Sequence, residues 1–259
     1  MLTMWGRELR YKPDVNFLTR IYAYFFGNPN IGEYIRNMYF RNAIKNIDFN
    51  GKNILDAGCG WGPYTYYIAG KYPQAIVDSC DFSDSTVNKC RTIANKCRLS
   101  NIKFFTQDLA NIYVENKYDI IICIDVIEHI KDDYQVIKNF YRALKKGGVL
   151  YLSTPCKDFR AIISSKFSRD IRNFEEHIHK GYTKERIRFL LEDSGFIIEE
   201  LRYTWKWWAE LIWEINGFGN SASNYLKALT SPFLKLLLPL DIYIKSKNGN
   251  NISALARKK

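Results

Sequence analysis

The sequence predicts an α/β fold, a mostly parallel sheet covered by helices on both faces. From residue 52 onward, short aliphatic runs alternate with stretches of helical period. One of those runs, "YDIIICI" (118–124), is almost continuously apolar, as a strand buried on both faces must be. The first run ends in "DAGCGWGP" (56–63), a glycine-rich turn closed by a proline that suits the first turn of a helix. Strand–helix repetition of this kind builds parallel sheets, because each crossover brings a covering helix with it.

The strands are expected at 53–57, 75–81, 102–106, 118–124 and 148–153. Helices are expected between them at 63–72, 84–98 and 132–146, the last one ended by Gly147 and Gly148. A loop rich in charge and histidine runs from Pro155 to Gly181, and a helix follows from Thr183, a good N-cap, to Asp193. Two further strands are expected at 195–204 and 252–258. If both join the sheet, 205–250 is an insertion between them. Two helices, at about 15–26 and 31–46, precede the first strand. The organisation read from this is an N-terminal helical lid (1–49), a cofactor domain (50–204), a tryptophan-rich helical insertion (205–250) and a final sheet strand (251–259).

With 47% hydrophobic and 25% charged residues over 259 positions, the chain can bury a full core. Arg7, Glu8 and Arg10 stand where a signal peptide needs an apolar stretch, and no run supplies about 18 uncharged apolar residues. The expectation is neither secretion nor a spanning helix. Six cysteines occur without a C-x-x-C pair, which fits buried thiols in a reducing cytoplasm better than disulfides or zinc. The net charge of +11 is uneven: residues 51–200 hold 22 basic and 20 acidic side chains, whereas 201–259 hold nine against three. A basic end suggests an anionic surface as partner, though a generally Lys-rich composition accounts for it equally well.

In open α/β sheets a ligand sits beyond the carboxyl ends of the strands, on the first strand-to-helix turn. A dinucleotide fingerprint beginning at Gly58 would need glycine at position 63, where proline stands. This removes NAD. The turn Asp56-Ala-Gly58-Cys-Gly60-Trp-Gly62 instead resembles the first motif of class I S-adenosylmethionine (SAM) dependent methyltransferases. "VDSCDFSDSTV", "TQDLANI", "DVIEHI" and "LKKGGVLYLSTP" resemble the second to fifth motifs and come in the same order. The small-molecule and quinone-type enzymes are the nearest subgroup. The resemblance implies a Rossmann-like seven-stranded sheet of order 3-2-1-4-5-7-6 with the last strand antiparallel. It also implies SAM as methyl donor and S-adenosylhomocysteine as product.

Within that resemblance, Gly58 and Gly60 let the backbone approach the methionine end of SAM, where a Cβ would clash. Asp56 helps to order the turn and the amino group. Asp81 is placed to accept both ribose hydroxyls. Phe82 would lie against adenine, Asp108 and Leu109 would hold its amine and other face, and Asp125 of the fourth motif joins the cofactor-binding set. A sulfonium methyl is already activated, so alignment and exclusion of water do most of the work, and an oxygen acceptor adds the need for a base. His177 and His129 are the candidates, with a structural histidine bonded to a loop carbonyl as the alternative for each. Asp125, Glu128 and His129 share one face if their segment is helical, which would suit magnesium. The fourth motif explains them without a metal, and none is assigned.

The insertion opens with "TWKWWAELIWEINGF" (204–218), four tryptophans within nine residues, followed by "NYLKALTSPFLKLLLPL", whose leucines recur at helical spacing. Pro232 and Pro239 should kink or divide that helix. Two uses suit this composition: a helical cap lining an apolar substrate pocket, or docking of 205–250 on a membrane. Both favour a small or lipid-like acceptor, with Tyr34, Arg36, Tyr39 and Arg41 reaching the site from the N-terminal helices. The expected location is the cytoplasm or the inner face of its membrane. A nucleic-acid or protein methyltransferase is the competing class. It lacks support, since there is no Asn-Pro-Pro-Tyr-type motif and no recognisable RNA-binding module. A non-catalytic SAM-binding subunit is the third.

Overall fold

The computed structural model describes residues 7–12, 15–158, 161–163, 178–218 and 224–259. The described chain forms two compact units. The larger draws on 47–157, 176–202 and 252–259, and the smaller on 1–46, 158–175 and 203–251.

The larger unit is built on a seven-stranded mixed sheet of order β3-β2-β1-β4-β5-β7-β6. Its strands are β1 (Asn53–Ala57), β2 (Ile76–Asp81), β3 (Ile102–Thr106), β4 (Tyr118–Ile124), β5 (Leu144–Pro155), β6 (Phe196–Thr204) and β7 (Asn251–Lys258). The pairings β1–β2, β1–β4, β2–β3 and β4–β5 are all parallel. The central strands are apolar on both faces because helices cover both: Ile54, Leu55, Ile121 and Ile122 are fully buried. The chain order reverses between β1 and β4, so a crevice opens beyond the carboxyl ends of β1, β2 and β4.

Helices follow from local chemistry. In α3 (Pro63–Lys71), Pro63 occupies the first turn and Gly62 caps it in a left-handed conformation. Ser83 caps α4 (Asp84–Lys96), Asp132 caps α5 (Asp133–Ala143) and Thr183 caps α6 (Lys184–Asp193), each side chain accepting a backbone N–H of the first turn.

One expected boundary is corrected. The helix before β5 ends at Ala143, and Gly147 and Gly148 lie inside the strand. Tyr118 pairs with Leu144 and Ile120 with Val149, so the residues between them bulge out of register. Gly147 takes φ +73°, and a Cβ on Gly148 would sit 2.8 Å from the Lys145 carbonyl oxygen. These glycines serve a bulge, which local reading cannot distinguish from a helix end.

The smaller unit contains α1 (Phe17–Phe26), α2 (Ile31–Ala43), α7 (Trp207–Phe218), α8 (Asn224–Leu237) and α9 (Leu240–Tyr243). Pro232 lies inside α8, and Pro239 separates α8 from α9. The unit's core joins Ile31, Ile35 and Tyr39 of α2 to Trp205, Ala209 and Ile212, with Trp208 and Trp213 packed against it. Only Trp207 of the four tryptophans is exposed, so the group does not form an outward aromatic belt. Tyr39 and Arg36 are engaged inside the unit. The Tyr39 hydroxyl donates to buried Asp241 at 2.5 Å, and the Arg36 guanidinium lies 5.4 Å from the Trp205 ring. Asp241 also accepts the N–H groups of Lys206 and Ala209, closing the start of α7. The buried Lys206 ammonium donates to the carbonyls of Asp241, Ile242 and Ile244.

Candidate active site

The turn after β1 is held by its neighbours. The amides of Gly58 and Cys59 both donate to the Cys80 carbonyl, at 2.9 and 2.8 Å. The Gly60 amide donates to one oxygen of Asp81 at 2.9 Å, and the Ser83 amide donates to the other at 3.0 Å. The Gln107 amide donates to the Asp81 carbonyl at 3.0 Å. Asp81 therefore laces together the ends of β1, β2 and β3, and each carboxylate oxygen keeps a further lone pair for a ligand hydroxyl.

The two glycines of the turn do different work. Gly58 has φ +75°, and a Cβ there would lie 2.4 Å from Val126. It is required by packing of the turn against the segment after β4. Gly60 has φ +51°, and a Cβ would meet nothing within 4 Å. Its bare backbone faces open space, which fits a cradle for the methionine end of SAM and has no packing explanation. Gly60→Ala should therefore fold, at a cost of about 1–2 kcal/mol for the left-handed backbone, and lose S-adenosylhomocysteine affinity at least tenfold. Paired calorimetry and denaturation check this; unchanged affinity would remove the cradle role.

Asp56, at the end of β1, is buried. One carboxylate oxygen accepts the Thr65 hydroxyl at 2.5 Å, and the Thr65 oxygen lies 2.8 Å from the Ser79 hydroxyl. Burial pushes the Asp56 carboxyl up to about 6, with the Thr65 hydrogen bonds pulling the other way and Asp81 adding a smaller upward push. The chain Asp56–Thr65–Ser79 ties β1, α3 and β2 together beneath the turn. Thr65 lies outside the motifs quoted above, and Ser79 sits inside the second of them without a role that the sequence assigns. The Cys90 thiol, donating to the Gly60 carbonyl at 3.2 Å, is a further contact that the sequence does not show. Burial raises the Cys80 thiol to about 12 and the Cys123 thiol as well, and none of the six cysteines forms a disulfide.

At the ends of β2 and β3, Phe82 is 79% exposed, which removes core packing as an explanation for its large ring. Asp108 caps the single turn Leu109–Asn111, accepting from the Ala110 amide and the Asn111 side chain, and Leu109 is buried.

Beyond β4, Asp125 has φ +52° and donates its N–H to the Ser153 carbonyl at 2.8 Å. A non-glycine residue in this region is strained, and such strain concentrates at functional sites. The segment that follows is one short turn, Ile127–His129, and not the start of a long helix. Glu128 turns inward and is fully buried, accepting the Thr154 hydroxyl at 3.0 Å, while His129 is exposed. Asp125, Glu128 and His129 do not share one face. Among the described residues no group of three or more His, Cys, Asp or Glu side chains is arranged to hold a metal ion.

His177 lies outside the described residues. The neighbouring His179 is placed firmly: its amide donates to the Glu128 carbonyl at 3.0 Å and its ring Nε2 to the Ile130 carbonyl at 3.0 Å. The Tyr182 hydroxyl donates to the Ile127 carbonyl, and Cys156 bridges to Tyr182. The return of the long loop is thus stapled to the ends of β4 and β5, and His179 fills the structural role weighed above for a histidine here. No sequence signal separated it from His177.

The glycine turn, the acidic ends of β1 and β2 and the strand order converge on one crevice, and comparison with known proteins decides the family. A model described as a methyltransferase domain matches residues 48–208. This chain belongs to the class I SAM-dependent methyltransferases. Its cofactor is SAM. It is 27% identical over 206 residues to a malonyl-[acyl-carrier protein] O-methyltransferase of Bacillus anthracis, covering 76% of this chain and 75% of that one. It is 34% identical over 118 residues to a ubiquinone biosynthesis O-methyltransferase of Coxiella burnetii, covering 45% of this chain and about half (49%) of the relative. A phosphoethanolamine N-methyltransferase 2 of Haemonchus contortus, solved with SAM, superposes with TM-score 0.66 at 21% identity. That match covers 98% of this chain and 60% of that one. At this identity the last likeness speaks to the fold alone. O- and N-methyltransferases both occur among the proteins it resembles, so the family leaves the acceptor atom open.

Proposed function

We propose that this methyltransferase transfers the SAM methyl to an oxygen of a small or lipid-like acceptor, at the cytoplasmic face of a membrane. The observation that carries the cofactor half of this reading is the unobstructed Gly60 backbone beside the Asp81 carboxylate. Gly58, Gly60 and Asp56 would hold the methionine end, Asp81 the ribose, and Phe82, Asp108 and Leu109 the adenine, with Asp125 bordering the transferred methyl. Asp108 already satisfies two local donors, so its contact with adenine would use its remaining lone pairs. The O-methyltransferase relatives support the acceptor half, and the aromatic, apolar composition of 203–251 favours a substrate of low polarity.

SAM supplies the electrophilic methyl when bound. The chain's own task is to hold donor and acceptor in line, keep water out and accept the acceptor's proton. His129, exposed on the turn after β4, and His177 are assigned to that last step. Each alanine variant should lower turnover while leaving S-adenosylhomocysteine affinity within about twofold; turnover unchanged in both would remove a histidine base.

The reading is tested with methyl-labelled SAM and a panel of phenolic, carboxylic and amine acceptors. Alkali releases methanol from an ester but leaves an aryl ether or an N-methyl group intact. Label confined to amines would overturn O-methylation.

A further inference from the structure

Two helices of the smaller unit are turned inside out. A helix on a water-facing surface normally puts its apolar stripe inward and its charges outward. In α1 the outward face is Phe17, Leu18, Ile21, Tyr24 and Phe25, all exposed, while the residue fully buried is Ala23. Among the described side chains of α8 the exposed ones are Leu229 (69%), Phe233 (70%), Leu236 (77%) and Leu237, continued by Leu240 and Tyr243 of α9. Its buried ones include Ser231 and Lys235. The Lys235 ammonium points inward and donates to the carbonyls of Phe26 and Asn28, at 3.2 and 2.6 Å. The Tyr22 hydroxyl bonds Ser231 across the same seam. Tyr22, Ser231 and Lys235 are therefore spent across this seam, and the apolar side chains named above are left to solvent.

We infer that this α1/α8–α9 face docks on an anionic lipid bilayer. It deepens the peripheral location proposed above but does not depend on methyl transfer. Charge selects the occupant. Residues 15–27 and 224–240 contain no Asp or Glu. The three acidic residues of 201–259, Glu210, Glu214 and Asp241, are all buried, whereas Lys245 and Lys247, just beyond α9, are exposed. Arg10 stands 5.5 Å from the exposed Tyr24 ring. Among the described residues the charges named beside this apolar surface, Arg10, Lys245 and Lys247, are cationic, which is complementary to acyl chains beneath anionic headgroups. A second copy of the chain would instead set like charges against like. At ten and 14 residues, α1 and α8 are far shorter than the ~20 needed to span a bilayer, and no described helix is long and apolar enough to cross one. They are suited to lie flat in the interface. The membrane surface is thus built from α1 and the leucine face of α8, and not from the tryptophans that the sequence singled out.

The test uses the full chain and sedimentation with phosphatidylglycerol-rich vesicles, phosphatidylcholine vesicles and no vesicles, with S-adenosylhomocysteine calorimetry as the check that each variant is folded and cofactor-competent. The expected result is binding to anionic vesicles that weakens with salt. It should fall at least tenfold in Phe233→Gln/Leu236→Gln and in Phe17→Gln/Ile21→Gln, with cofactor affinity unchanged. Lys245→Glu/Lys247→Glu should lose the preference for anionic lipid. Protein that stays in the supernatant with every vesicle overturns the inference, as does vesicle binding that both apolar variants retain. A dimer that these variants dissolve, without vesicle binding, overturns it in favour of self-association. In each of these cases intact cofactor binding leaves the methyltransferase reading standing.

Discussion

Asp81→Ala should weaken S-adenosylhomocysteine binding by at least tenfold, about 1.4 kcal/mol, and more where the turn itself loosens. The substitution removes the carboxylate proposed for the ribose and strips the Gly60 and Ser83 amides of their acceptor at the same time. An unpaired amide in a partly buried turn costs about 1–3 kcal/mol, so the cradle should lose order as well as a contact. Asp81→Asn separates the two effects. Its single carbonyl oxygen can serve one amide, and its NH2 group cannot accept from a ribose hydroxyl. The expected order of affinity is wild type, then Asn, then Ala, read by isothermal titration calorimetry. An alanine variant that binds like wild type would sink the ribose assignment.

Asp56→Asn should stabilise the ligand-free protein at pH 7 while weakening cofactor binding. Burial raises the Asp56 carboxyl to about 6, above the about 3.9 of a free aspartate. Between about pH 4 and pH 6 the folded chain keeps a proton that the unfolded chain has released. Stability therefore falls as pH rises through that window and stays lowered above it. The shift corresponds to a cost on the order of 3 kcal/mol at neutral pH. The asparagine variant keeps an acceptor for Thr65 and escapes the cost, so its advantage in denaturant unfolding should be large at pH 7 and vanish near pH 4. Cofactor affinity should run the other way, since a carboxylate meets the ammonium of the methionine end only when ionised. Binding by the wild type should weaken as pH drops below about 6. An asparagine variant no more stable than wild type at pH 7 would mean that Thr65 and its neighbours fully offset the burial.

Both substitutions address the proposed cofactor crevice, whose turn and acidic strand ends stand out in the sequence. The limits of β1, β3 and β4, the proline and the serine, threonine and aspartate caps that open helices, and the turn Asp56–Gly62 all depend on interactions within about ten residues of sequence. Strand order followed from the resemblance, and the structure reproduces it as 3-2-1-4-5-7-6. What was not legible is equally specific. Gly147–Gly148 looks the same in sequence whether it ends a helix or bulges a strand, and pairing with Tyr118 and Ile120 decides for the bulge. The motif containing Asp125, Glu128 and His129 suggests one face, but a single short turn sends Glu128 inward and leaves His129 out.

The sequence by itself determined the alternation of strand and helix and the glycine turn with its acidic neighbours, because each is written in local period and spacing; the family and its cofactor followed from the resemblance those motifs carry. Only the tertiary structure decided which face of each amphipathic segment looks inward. Periodicity shows that α8 has a leucine side and a lysine side. It does not show that the carbonyls of Phe26 and Asn28, some 200 positions earlier, take up the Lys235 ammonium and leave the leucines outside. Burial belongs to a partner surface, and in this unit the partners of one helix come from the far end of the chain.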